Sequence, residues 1–369
     1  MSCSAGIRSL NAYLANLRTK QSLLVHVVLG NEAADLDSMA SALMLAYFKS
    51  RVRQQKGRAY LPLINIPRAE LALRRQALCL FDELGLNPEG LFFRDELDLE
   101  ALLAQGRLEL TLVDHNRLTP SQEHLAPAVL GIVDHHRDEE QHRNAAERIV
   151  APVGCAATLV AEMILACRPA ILDAGTGALL LAPILLDTSG LDPRAGRAAA
   201  RDEEAARRLI ALTGADGLGL YRRLAGERFA DRPQDSRGLL AGDHKQFRSG
   251  RLRWGISSVP VSLEAWAGKD PELAGAFKGF AASRSLDLLL AMLAYQDTGF
   301  HRQLALYAAE ERLKRRLLSF LRGCGLGLEP LAVPGLKGDE ALALFSQGAT
   351  DWSRKRLQPL LQEFFNGLE

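Results

Sequence analysis

Cysteine is sparse in this chain of 369 residues. Cys3, Cys79, Cys155, Cys167 and Cys324 are scattered, odd in number and never spaced as C-x-x-C. That excludes a disulfide framework and a thiolate zinc site, and it fits a reducing compartment. Long hydrophobic runs are missing too. The longest, Ala178 to Leu186, is too short to cross a bilayer and contains Pro183. Met1 to Lys20 mixes polar and apolar residues and lacks the continuous apolar stretch of a signal peptide. A cytoplasmic protein with no membrane partner is therefore expected. There is no excess charge of one sign: 45 Lys and Arg face 44 Asp and Glu, a net charge of +1. No global field attracts a nucleic acid polymer, so any anion site must come from local clustering. No G-x-x-x-x-G-K-[ST], no G-x-S-x-G and no G-x-G-x-x-G after the first strand is present, so a P-loop, a serine elbow and a dinucleotide site are not expected.

What is present suits a globular chain of two domains: 48% of residues are apolar and 24% charged. The chain is organised around Leu23 to Ser38. There an apolar, β-branched run reaches Gly30 and meets Asp35 and Asp37, and a helical pattern follows over about 39–53. Two carboxylates this close raise each other's pKa unless a cation lies between them. The plainer alternative makes Asp37 a helix cap and Asp35 a solvated loop residue.

The same grammar recurs. Residues 7–20 form an amphipathic helix, 59–66 a strand and 69–84 a helix ending at Gly85. Leu108 to Val113 is a strand running into Asp114-His115-Asn116, and Val129 to Val133 one running into Asp134-His135-His136. Strands alternating with helices imply an α/β fold with a doubly wound, mostly parallel sheet, so these strand ends share one edge. Gly154 to Thr158 opens a helix whose N-terminus could approach an anion. Thr176 to Leu186 ends at Asp187 and reads equally as helix or strand. Arg194 to Arg208 reads as an exposed helix. The domains are placed at 1–190 and 217–369, with a helical connection at 191–216. In the second half, 218–229 is helical, 252–259 and 286–295 are strands, and 310–321 is a helix with Arg312, Lys314, Arg315 and Arg316 on a basic face.

Five of the eight histidines fall between positions 115 and 142. Carboxylates with one or two imidazoles suit Mg2+ or Mn2+. Asp35, Asp37, Asp114, Asp134 and Asp187 exceed the needs of one ion. A pair of ions bridged by a carboxylate would activate water for hydrolysis of a phosphoanhydride or phosphodiester, with no protein nucleophile.

Gly30-Asn31-Glu32-Ala33-Ala34-Asp35-Leu36-Asp37-Ser38, Val113-Asp114-His115, Val133-Asp134-His135-His136, Gly154-Cys155-Ala156-Ala157-Thr158 and Asp187-Thr188 resemble the ordered motifs of the DHH phosphoesterase superfamily. Asp243-His244-Lys245 and Ser353-Arg354-Lys355 resemble the two basic motifs of a DHHA2-type domain, which implies a smaller C-terminal α/β domain with a mixed sheet. Family II inorganic pyrophosphatases typically carry histidine where this chain has Asn31, so the resemblance is to the exopolyphosphatase and prune group. It implies one metal at Asp35 and Asp114 with Asn31 nearby. A second would lie at Asp37, Asp114, His135 and Asp187, making Asp114 the bridge. It implies His136 at the substrate phosphate, Asp134 orienting a histidine, and Arg137, Lys245, Arg354 and Lys355 binding phosphates. His115 is a ligand neighbour or structural. The implied activity is an exopolyphosphatase using two Mg2+ or Mn2+ ions in an interdomain cleft. Pyrophosphatase, small-nucleotide phosphodiesterase and non-catalytic regulatory binding are the alternatives. No oligomeric state follows from the sequence.

Overall fold

The computed structural model describes residues 3–19, 24–53, 55–229, 235–334, 336 and 339–367. Lys20 and Leu23, the expected end of the first helix and start of the first strand run, lie outside them. The chain divides into two compact units, Met1–Arg228 and Phe229–Glu369.

The first unit runs α1 (Ala5–Thr19), β1 (Leu24–Leu29), α2 (Leu36–Val52), β2 (Arg58–Ile64), α3 (Arg75–Leu84), β3 (Phe92–Phe93) and α4 (Leu99–Ala104). It continues through β4 (Leu108–Val113), β5 (Val129–Asp134), β6 (Glu147–Val150), α5 (Ala156–Cys167), α6 (Ala174–Asp187), α7 (Ala200–Thr213) and α8 (Gly217–Phe229). All strand pairings are parallel, in the order β3-β2-β1-β4-β5-β6. The order reverses between β1 and β4, and the crevice beyond the carboxyl ends of those two strands is where such sheets bind ligands. β1 is buried along nearly its whole length, as a central parallel strand must be. α2 is apolar or small on every side and buried from Leu36 to Lys49, packed on β2, α5 and α6.

The opposite, amino-terminal edge carries a buried polar group of its own. His26 lies 2.9 Å from Glu109 and 2.7 Å from the Thr111 hydroxyl, and Arg58 pairs with Glu109. Lys49 pairs with Glu147 nearby.

Some expected bounds change here, and one open reading is settled. The helix expected at 69–84 is broken: a 3-10 turn over Arg68–Leu73 precedes α3, and Arg74 between them leaves helical geometry with ψ 60°. The apolar run at 176–186 is a helix, buried on most sides between other helices. The helix expected at 194–208 starts only at Ala200, and its Ala205, Ala206 and Leu209 face the core beside Leu220 and Leu224 of α8. That packing puts 191–216, expected as the connection, inside the first unit.

The second unit contains α9 (Ser236–Ala241), β7 (His244–Ser249), β8 (Leu252–Val259), α10 (Leu263–Lys269), α11 (Leu273–Ser283), β9 (Leu288–Gln296) and β10 (Phe300–Ala308). It ends with α12 (Glu311–Gly323), β11 (Leu328–Pro330), β12 (Leu342–Gln347) and α13 (Arg354–Asn366). Its sheet has the order β11-β12-β10-β9-β8-β7, with β8 and β9 parallel and the other pairs antiparallel. This is the mixed sheet expected. Lys314 leaves the supposed basic face of α12: it is buried and ion-paired with Glu311 at 2.6 Å. Among the described residues, no helix is long and apolar enough to cross a membrane.

Candidate metal centre

The loop after β1 is shaped by close approach. A Cβ on Gly30 would lie 2.6 Å from the Ser38 hydroxyl, which receives the Asn31 N–H at 2.7 Å. Asn31 Oδ1 accepts from the N–H groups of Ala33 and Ala34 at 2.9 and 3.0 Å. The buried Arg74 donates from Nε to the carbonyls of Ala33 and Ala34 at 2.8 and 3.1 Å. That contact explains the break before α3, and no motif spacing announces it.

Asp35, half-buried, caps α2 by accepting the Ser38 N–H at 3.0 Å. Asp37 does not cap its own helix. Its Oδ2 accepts from Ala156 N–H at 2.7 Å and its Oδ1 from Ala157 N–H at 2.8 Å and Ser41 hydroxyl at 3.0 Å. The anion expected at the start of α5 is therefore the Asp37 side chain, set against the positive end of the helix dipole.

Asp114 follows β4 with φ +62°, a left-handed conformation unusual for a side chain with a Cβ and often kept at functional sites. It is buried. Burial pushes its carboxyl well above the usual range, Asp37 and Asp35 push it further, and His135 opposes them. A cation beside it would reverse that penalty. Asn31 Nδ2 donates to Asp114 Oδ2 at 2.5 Å and to its carbonyl at 3.3 Å. Asn31 thus turns a donor toward the site and spends its oxygen on the loop.

After β5, His135 donates from Nδ1 to the Val153 carbonyl at 3.0 Å. Its Nε2 points into the acidic cluster, 3.2 Å from Asp114 Oδ1 and 3.8 Å from Asp37 Oδ2, and is the nitrogen free of the backbone for a metal ion. His136 Nδ1 lies 2.8 Å from Asp134 and 3.6 Å from Asp114 Oδ1, with its ring partly exposed. Burial works to raise the Asp134 carboxyl, but His136, His135 and Asn116 outweigh it and hold the group well below the usual range. Asn116 donates to Asp134 Oδ2 at 2.5 Å and to the Arg137 carbonyl at 3.0 Å. Sequence reasoning missed Asn116, although it follows Asp114-His115 directly.

Ligand atoms of Asp114, His135 and His136 lie within 4.8 Å of one another, as do those of Asp37, His135 and Asp187. Asp187 comes from the last turn of α6. Asp35 and His115 are in neither group; His115 turns Nδ1 to the Val113 carbonyl at 3.0 Å. The Arg137 side chain is exposed. Imidazole nitrogen with carboxylate oxygen is a donor set that fits a divalent ion.

In the second unit, the two basic motifs meet. Arg354, first residue of α13, donates to the Asp243 carbonyl at 2.9 Å and pairs with its carboxylate at 2.7 Å. Strand alternation puts Lys245 on the face of Phe247, which stacks on Trp254, itself packed against Phe365 of α13. Lys245 therefore shares the α13 side of the sheet with Arg354, while Lys355 is exposed.

These features define a two-unit α/β protein with an acidic and histidine centre at a sheet switch point. A model of the DHH family N-terminal domain matches residues 26–184 and one of the DHHA2 domain matches residues 232–364. The chain is similar to exopolyphosphatase PRUNE1 of Bos taurus, 35% identical over 95% of this chain and 78% of that protein. It is similar to exopolyphosphatase PRUNE1 of Homo sapiens, at 34% over the same shares. The chain belongs to the DHH family, in the branch that carries a DHHA2 domain. A solved Methanococcus jannaschii structure described as a family II inorganic pyrophosphatase shares the fold. Its TM-score is 0.64 at 18% identity, covering 93% of this chain and 100% of that one.

Proposed function

We propose that the chain is a divalent-metal-dependent phosphoanhydride hydrolase that releases terminal orthophosphate from inorganic polyphosphate. The convergence of Asp37, Asp114, His135 and Asp187 at one sheet edge carries this reading. The relatives named exopolyphosphatase support the substrate. Two ions, Mg2+ or Mn2+, would be held by Asp114 with Asp35, and by Asp37, Asp114, His135 and Asp187, with Asp114 shared. When bound, they supply an activated water and neutralise phosphoryl charge.

The chain's own residues do the rest. Asn31 fixes the bridging carboxylate. Asp134 holds the Nδ1 proton of His136, so that Nε2 faces the substrate phosphate. Arg137, Lys245, Arg354 and Lys355 bind phosphate oxygens, the Arg354 fork being preset by Asp243. The five free thiols support a reducing, cytoplasmic setting.

The test is phosphate release from polyphosphate and from pyrophosphate, each with Mg2+ and after chelation. Release from polyphosphate chain ends that chelator stops and Mg2+ restores is expected. Release from pyrophosphate alone overturns the chain-end reading, and release from neither overturns hydrolysis.

A further inference from the structure

Asp202, on the first turn of α7, lies outside every motif that carries the family likeness, yet it is fully buried. Its Oδ2 accepts the N–H groups of Gly154 at 2.8 Å and Ala199 at 2.7 Å, and its Oδ1 accepts the Thr158 hydroxyl at 2.6 Å. Gly154 sits at the middle of a short segment with two other duties. One residue before it, the Val153 carbonyl fixes the tautomer of His135. Two and three residues after it, the N–H groups of Ala156 and Ala157 hold both oxygens of Asp37. The segment is pressed close: a Cβ on Gly154 would lie 2.6 Å from Thr188 Cγ2 and 2.8 Å from the Arg197 carbonyl.

We propose that Asp202 is a positioning residue for the metal centre. It grips residues 153–158 from behind and so sets the direction of His135 Nε2 and of the Asp37 carboxylate together. This rests on the metal reading above and adds to it a residue contributed by α7. Replacing one Asp202 oxygen by an amide NH2 removes the charge that strengthens the bonds from Gly154 and Ala199 and makes the Thr158 hydroxyl accept instead of donate, so the grip on the segment loosens. The ligands would remain but lose their common seat. Partners behind metal ligands typically change affinity by about 10–100-fold.

The experiment uses the full chain and reads Mn2+ binding by electron paramagnetic resonance, alongside circular dichroism and melting temperature. Asp202→Asn is expected to weaken Mn2+ binding about tenfold or more at a temperature where it remains folded. Thr158→Val is expected to weaken it in the same direction, and Thr158→Ser, which keeps the hydroxyl, to restore it. If Asp202→Asn does not fold, the Val and Ser pair at Thr158 decides alone. Variants that melt earlier but bind Mn2+ as the parent does overturn the proposal and leave the metal reading standing. A parent chain that binds no Mn2+ overturns the metal reading, and the role of Asp202 falls with it.

Discussion

Asp114 is desolvated, faced by two other carboxylates and held in a left-handed backbone. Without a cation its charge is a burden on the fold. Asp114→Asn should therefore abolish phosphate release while leaving the metal-free chain folded, and more stable by on the order of 1 kcal/mol. Activity assays and denaturant melts after chelation check both halves. Asn116→Leu removes the donor on the far oxygen of Asp134, and a loss of about 10–100-fold in turnover is expected. His26 is a separate case. Burial pulls its pKa down from 6.5 to about 4, against the pull of Glu109. The folded chain thus keeps it neutral while the unfolded chain protonates it, so stability falls as pH drops from about 6.5 toward 4. Between pH 7 and 5 a loss of about 2 kcal/mol is expected. In His26→Gln that slope should flatten, as urea melts at the two pH values would show.

At the scale of elements, the strands that lead to Asp35, Asp37, Asp114 and the Asp134-His135-His136 run were readable because each apolar run stops at a charged motif. A parallel sheet then gathers those ends whatever their separation in sequence. What could not be read has equally physical reasons. Asn31 supplies an amide, but only the fold decides which end faces Asp114. Arg74, Asn116 and Asp202 act singly, each holding groups distant in sequence, and leave no spacing to recognise. The run 176–186 is apolar on all sides because neighbours enclose it, so its period was silent. Gly30→Ala tests the β1–α2 junction: the added carbon meets the Ser38 hydroxyl at 2.6 Å. A cost of about 1–3 kcal/mol and weakened metal binding are expected from melts with and without Mn2+.

At the scale of the whole molecule, the metal-ligand candidates all lie in Met1–Arg228, and Lys245, Arg354 and Lys355 in Phe229–Glu369. Saturating Mn2+ at about 100 times its dissociation constant should stabilise the intact chain by about 2.7 kcal/mol, and chelation should reverse the shift in melting temperature. The ionic layer of His26, Glu109 and Arg58 is set about 10 Å of strand from the β1 terminus that leads to the candidate metal centre. One rim of the sheet thus answers to protons through folding, while the other gathers the candidate metal ligands. A falling acid limb in a rate profile would mix the two, and silencing His26 is the way to hear the chemistry by itself.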